Sequence, residues 1–156
     1  MIDKKQVIII SNLRRNARES LTRLSKKTSI PVSTIFEKLK VYESTIIKKH
    51  TCLINFASLG YNTTANIFLK VSKIDKEKVK DYLTISKSLN SVYRVNNNYD
   101  FMAEAIFKDM KEAELFLEEI ENKFDIQDKY VSYIIDEIKK EDFMSNPEYL
   151  KIINRE

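Results

Sequence analysis

Residues 21–42, LTRLSKKTSIPVSTIFEKLKVY, hold two helical repeats separated by a short break. Leu21, Leu24 and Thr28 recur at i, i+3 and i+7, which stacks them on one side of a helix and leaves Thr22, Arg23, Lys26 and Lys27 on the other. The break falls at Thr28-Ser29-Ile30-Pro31. Proline has no N–H and suits the first turn of a helix, where that donor lacks a partner; Val32, Ile35, Leu39 and Tyr42 then repeat at helical spacing. Ser33, Thr34, Glu37, Lys38 and Val41 are left facing outward. Two short helices joined by about three or four residues, the second presenting hydroxyl and cationic side chains near its start, predict a helix-turn-helix. The major groove of a duplex admits one α-helix, whose first two turns reach base edges while the preceding helix rests on phosphates. The plainer alternative is a helical hairpin whose lysines only keep it in water.

Charge separates these readings. Residues 1–54 hold 12 Lys/Arg against 4 Asp/Glu, a balance of +8, and residues 55–156 hold 15 against 19, a balance of −4. A basic head gains affinity for a polyanion by releasing condensed counterions, whereas an acidic remainder is repelled by it. Upstream, Asp3 can cap a helix running to about Leu13, with Val7, Ile10 and Leu13 inward and Ile9 partly covered, and Arg14, Arg15 and Arg18 follow in a polar break. Three helices by Tyr42 are the minimum that encloses a small core around a helix-turn-helix.

Composition narrows the function classes. One Cys excludes an internal disulfide and a four-thiolate zinc site, and one His leaves no histidine-based metal cluster, so no cofactor is expected and an intracellular, cytoplasmic protein is the simplest reading. The longest early apolar run, Val7 to Ile10, is four residues, far below the roughly 20 needed to cross a bilayer; no membrane association is expected. A single glycine excludes phosphate-cradling glycine loops. His50 and Cys52, two apart on an expected strand, lack the third orienting group and oxyanion site that a catalytic pair needs, so no enzyme is expected.

Downstream, Ile46 to Ile54 is rich in β-branched residues and predicts a strand leaving the head, and Asn55 to Asn62, with the lone Gly60, predicts a turn into a second unit. Residues 63–72 alternate as a strand; a helix begins at Asp75 with Val79, Tyr82, Leu83 and Ile85 inward; Val92–Asn96 and Asp100–Phe107 form strands joined by a two-residue turn at Asn97-Asn98; Glu112–Phe124 is an amphipathic helix; and Tyr130–Ile138 is a last strand. That order, βαββαβ, is a ferredoxin-like sandwich with both helices on one face of the sheet. The fold class is therefore α+β, with a helix-turn-helix domain over 1–45, a strand linker over 46–62, a ferredoxin-like domain over 63–140 and a tail over 141–156. Phe68, Met102, Ile106 and Ile134 would lie on the open sheet face, more apolar than a surface facing water should be, and predict a homodimer through that face. Asn146-Pro147 reads as a cap and first helical residue, predicting a terminal helix over Pro147–Arg155.

These parts resemble the Lrp/AsnC (leucine-responsive, feast/famine) regulators of prokaryotic transcription. The resemblance is carried by Asn16-Ala17-Arg18, Ser20, Leu24-Ser25-Lys26-Lys27, Ser33-Thr34-Ile35, Ile46-Ile47-Lys48-Lys49, Leu59-Gly60-Tyr61 and Tyr99-Asp100, in that order. It implies a dimer that binds double-stranded DNA and assembles into tetramers or octamers, with an amino-acid effector held near the loop between the second and third strands, here Asn96, Asn97, Asn98 and Asp100. The chain departs from the family at two places: Asn97 stands where a glycine is usual, with a side chain in the room a ligand backbone would need, and Thr45-Ile46 stand where a glycine usually follows the recognition helix. Read without the resemblance, Asn96 to Asp100 is simply a hairpin turn.

For DNA, Ser33, Thr34, Glu37 and Lys38 are expected to approach bases, Glu37 accepting from a cytosine amino group and Lys38 donating to guanine. Arg14, Arg15, Arg18, Lys26, Lys27, Lys40, Lys48 and Lys49 are expected phosphate contacts. The reading is a sequence-specific transcriptional regulator; its alternative is a small-molecule-sensing or scaffolding oligomer whose head binds DNA weakly or without preference.

Overall fold

The computed structural model describes residues 3–96 and 98–146, so Asn97 and the expected Pro147–Arg155 helix lie outside the described residues. The chain divides into two compact units, one running to Leu53 and taking up the segment from Ile138, the other spanning Ile54–Glu137.

The first unit is three helices, α1 (Lys4–Arg15), α2 (Leu21–Thr28) and α3 (Val32–Thr45). The Asp3 carboxylate accepts from the Lys5 N–H and starts α1, and the Ser20 hydroxyl accepts from the Arg23 N–H and starts α2. Both satisfy donors that the helix itself leaves open. Ile9, Leu13, Leu24, Ile30, Ile35 and Tyr42 make the core, with Ile10, Leu21, Leu39 and Ile47 packed around it. Ile9, expected to be partly covered, is fully buried, and Ile10 is half-buried. Between α2 and α3 the chain turns at Ser29, whose φ of 57° lies in the left-handed region, and this lets Ile30 drop into the core. The expected strand over Ile46–Ile54 does not form: these residues carry no strand, and all but Ile47 are exposed. β-branched residues fit a pleated surface, but a strand requires a neighbour for its ladder, and the chain supplies none here.

The second unit opens with a short 3₁₀ turn at Ala57–Leu59, closed by Gly60 at a φ of 87°. It continues as β1 (Thr63–Val71), α4 (Lys76–Ile85), β2 (Leu89–Arg94), β3 (Phe101–Phe107), α5 (Met110–Lys123) and β4 (Ile126–Tyr133). The sheet order is β2-β3-β1-β4, with every adjacent pair antiparallel. This is the expected βαββαβ sandwich. Ala65, Ile67, Leu69 and Val71 of β1 and Phe101, Ala105 and Phe107 of β3 pack against Val79 and Leu83 of α4 and Ala113, Phe116, Leu117 and Ile120 of α5. The Asp109 carboxylate accepts from the Glu112 N–H and begins α5, while the Glu112 carboxylate accepts from the Lys108 N–H.

Two strand boundaries differ from expectation. β4 occupies Ile126–Tyr133 rather than Tyr130–Ile138, because its length is set by its ladder with β1, from Val71↔Ile126 to Ala65↔Tyr133. The Ile134 N–H makes one more bond, to the Thr64 carbonyl, and beyond it Ile135 and Ile138 are fully exposed. β2 begins at Leu89 and ends at Arg94, and the link to β3 is longer than a two-residue turn: the Val95 N–H donates to the Asp100 carbonyl, enclosing four residues.

The left-handed Ser29 gives a direct test of the inter-helix turn. An L side chain there costs roughly 1–2 kcal/mol, which glycine avoids at some expense in chain entropy. Ser29→Gly is therefore expected to stabilise the protein by about 0.5–1 kcal/mol in urea denaturation. Destabilisation would mean that the turn has another conformation.

Candidate nucleic-acid interface and effector loop

The first-unit core decides what α3 shows to its surroundings. Ile35 and Tyr42 are buried and Leu39 is half-buried, so the opposite side of α3 presents Ser33, Phe36, Glu37, Lys40 and Val41, all exposed. Thr34 is half-buried at the edge of this face. Pro31 precedes α3 as its N-cap and provides no side-chain hydrogen bond. Val32, expected inside, is 41% exposed.

Lys38 departs from its expected place. It is directed toward α1, where its Nζ lies 3.0 Å from Asp3 Oδ2. The ammonium bond to Lys38, followed by the Lys5 N–H, lowers the Asp3 pKa, and the same carboxylate raises that of Lys38. An ammonium one helical step from the reading face and already paired is a tie between α1 and α3, not a free donor for guanine. Lys40 takes its place on the exposed face, with Nζ 4.5 Å from the centroid of the Phe36 ring. Phe36 escaped the sequence reading. The signal was available: Phe36 lies three residues after Ser33 and four before Lys40, which puts it among the outward residues of the helix.

The flanking cations fall into two groups. Arg14 donates to the Glu141 carbonyl at 2.8 Å and pairs with its carboxylate at 3.1 Å, and Lys27 lies 2.5 Å from Glu19. Glu19 is buried, its side chain 3% exposed, and also meets Arg23 at 3.6 Å. Among the described residues, Arg15, Arg18, Lys26, Lys48 and Lys49 are exposed and have no carboxylate partner. The His50 ring meets the Glu43 carboxylate at 3.1 Å, and Cys52 is an exposed free thiol. Among the described residues no group of three or more His, Cys, Asp or Glu could hold a metal ion.

In the second unit, the sheet face opposite the helices is divided by a polar belt. Phe68 pairs across the sheet with Met102 and Tyr130, Met102 pairs with Tyr93, and the Tyr99 ring sits 5.8 Å from that of Phe68. Asn66, Glu104, Ser91 and Ser132 cross the middle, with the Asn90 amide and Ser91 hydroxyl both donating to Glu104. Ile106 and Ile134 lie beyond this belt, Ile134 just past the last ladder pair. The sequence reading named the apolar members of this face but not the belt or the tyrosines.

Of the expected effector residues, Asn96 and Asn98 are exposed, and Asn98 takes a φ of 62°. Asp100 is committed to the fold. Its Oδ2 accepts from the Val71 N–H at 2.9 Å, its Oδ1 lies 2.5 Å from Lys76 Nζ, and its own N–H donates to the Leu69 carbonyl. Burial alone would raise its pKa; the Lys76 ammonium, the Val71 N–H and the nearby charge of Lys70 outweigh that and hold it below the usual 3.8. The carboxylate thus fixes one end of the β2–β3 loop.

A helix-turn-helix head followed by an antiparallel βαββαβ unit defines a two-part regulator of the DNA-binding class. Residues 64–143 match the family described as the Lrp/AsnC ligand binding domain. The chain is 35% identical over 118 residues to the HTH-type transcriptional regulator FL11 of Pyrococcus furiosus, covering 75% of this chain and 76% of that one. It is 27% identical over 148 residues to an uncharacterised HTH-type transcriptional regulator of Pyrococcus abyssi, covering 94% of this chain and 100% of the relative. Its fold is similar to that of a transcriptional regulator from Neisseria meningitidis, solved in complex with L-methionine, with a TM-score of 0.83 at 22% identity over 90% of this chain and 94% of that one. The chain belongs to the Lrp/AsnC family of transcriptional regulators.

The Asp100 anchor yields a pH-dependent prediction. A carboxyl whose folded pKa is depressed stabilises the fold above its unfolded value, and the contribution is lost as pH falls through the folded one. Asp100→Asn is expected to cost about 1.5–3 kcal/mol near pH 7, and its difference from wild type should shrink below about pH 4. Urea titrations across that range check it. A difference that does not change with pH would contradict the assignment.

Proposed function

We propose that the chain binds duplex DNA sequence-specifically as a dimer, with α3 in the major groove, and that an amino acid modulates this binding. The carrying observation is the outward face of α3, where Ser33, Glu37 and Lys40 stand free of the core in a unit whose exposed Arg15, Arg18, Lys26, Lys48 and Lys49 have no carboxylate partner among the described residues. Free cations release counterions from phosphate on binding, whereas Arg14, Lys27 and Lys38 must first give up an ion pair. Ser33 and Thr34 begin the helix and can reach base edges or backbone, and Glu37 can accept from a cytosine amino group. None of these groups forms an acid–base or nucleophilic constellation, so the chemistry supported is recognition.

Dimerisation through the open sheet face is the second part of the reading. Phe68, Met102, Tyr93 and Tyr130 gather at one end and Ile106 and Ile134 at the other, and covering such side chains in a partner contributes several kcal/mol at about 25 cal/mol per Å². The polar belt through Asn66 and Glu104 would fix the register of the pair. Tetramers or octamers of such dimers follow from the family resemblance. The effector part is supported by the relative solved with L-methionine and by the loop after β2, whose far end Asp100 anchors and whose exposed Asn96 and Asn98 offer amide donors and acceptors. Asn97, which lies outside the described residues, completes the loop.

Selection from random duplexes by the full-length chain is expected to enrich a pseudo-palindrome with half-sites about one helical turn, 10–10.5 base pairs, apart. Arg18→Ala should weaken every sequence alike and reduce the slope of log K against log salt by about 0.9, whereas Glu37→Ala should change preference at one base pair per half-site by about 1–3 kcal/mol. Steep, salt-sensitive binding with no enriched motif would instead support a scaffold with a sequence-blind head. For the effector, thermal denaturation in the presence of each amino acid is expected to reveal at least one that raises Tm; a ligand at about a hundred times its Kd adds about 2.7 kcal/mol. No change with any of them would remove the effector reading.

A further inference from the structure

The exposed face of α3 carries more apolar surface than a solvated helix face requires. Val32 is 41% exposed and Phe36 is 44% exposed. Neither belongs to the core of Ile9, Leu13, Leu24, Ile30, Ile35 and Tyr42, nor to the side chains packed around it. They are four residues apart, so they form one strip over the first two turns, and Lys40, a further four residues along, lays its ammonium 4.5 Å from the Phe36 ring centroid. Ser33 and Glu37 run beside this strip, and the unpaired Arg15, Arg18 and Lys26 belong to the same unit. An aromatic ring among groups suited to a polyanion has a natural apolar counterpart in a duplex. The major-groove edge of thymine bears a C5-methyl group, the principal apolar feature that the groove offers to a helix.

On the reading that α3 enters the major groove, we propose that Phe36 and Val32 recognise thymine through its C5-methyl group, making Phe36 a specificity-determining residue of the interface. Lys40, stacked on the same ring, is then held beside the methyl contact, where it can reach the phosphate flanking that thymine. Methyl recognition differs from hydrogen-bonded readout because it makes no demand on the polar groups of the base. Exchanging thymine for uracil removes the methyl and leaves the Watson–Crick pair unchanged.

The test uses the full-length chain and the duplex it selects, with uracil replacing thymine at one half-site position at a time. Wild type is expected to lose about three- to fivefold in affinity at one or two positions per half-site, the transfer free energy of a single methyl group. In Phe36→Ala, or in Val32→Ala for a neighbouring position, the thymine and uracil duplexes should bind equally, while the salt dependence stays that of wild type. Three results would overturn the proposal: a selected site with no thymine in its half-sites, uracil exchange without effect anywhere in wild type, or a uracil penalty that survives in both variants. Each is distinct from failure of DNA recognition itself, in which wild type would select no sequence. If Phe36 served only to support Lys40, Phe36→Ala would weaken thymine and uracil duplexes by the same factor and leave their ratio intact, which also counts against it.

Discussion

The burial of Leu24 and Ile35 with Ile9 is the constraint on which the head depends. All three are completely removed from solvent in a core of only a few large side chains. Truncating one such residue costs about 2–5 kcal/mol, a large share of the stability of a small domain. Because Ile35 is held there, the helical repeat leaves no freedom over what faces away from it. Ser33, Phe36, Glu37 and Lys40 are outward for the same reason that Ile35 and Tyr42 are inward. The left-handed Ser29 and the buried Ile30 set the turn that delivers α3 to this position.

Charge is arranged around that scaffold in two roles. Asp3, Glu19 and Glu141 engage Lys38, Lys27 and Arg14, and these pairs brace helices and the returning segment. Exposed ion pairs are worth at most about 1 kcal/mol each, so their main effect is positional. The remaining cations, with no carboxylate beside them, give the head its attraction for a polyanion. A similar economy governs the second unit, where one carboxylate, Asp100, joins the end of β1, the start of α4 and the loop before β3 through three bonds.

The helices of the head and the βαββαβ order were legible because their apolar repeats are long and their caps, Asp3 and Ser20, are of types that accept readily from a helix N-terminus. β4 was placed four residues late for a physical reason. It is an edge strand whose first half, Ile126-Gln127-Asp128-Lys129, is polar on its outer side, as edge strands that avoid aggregation often are, while the later Ile134-Ile135 imitates a strand beyond the reach of β1. The linker failed in the opposite direction, since Ile46–Ile54 has the composition of a strand but no neighbour. At the interface, Ser33, Glu37 and Lys40 were readable from the helical repeat. Lys38 was not, because its partner Asp3 is 35 residues away and only the packing of α1 on α3 brings them together.

Dimethyl sulfate protection on the selected duplex tests the central claim most directly, since the reagent reports guanine N7 in the major groove and adenine N3 in the minor groove. With α3 seated as its exposed face implies, guanine N7 should be shielded in two patches about one helical turn apart while adenine N3 between them stays reactive. Shielding confined to adenine N3, with every guanine N7 still open, would contradict the account.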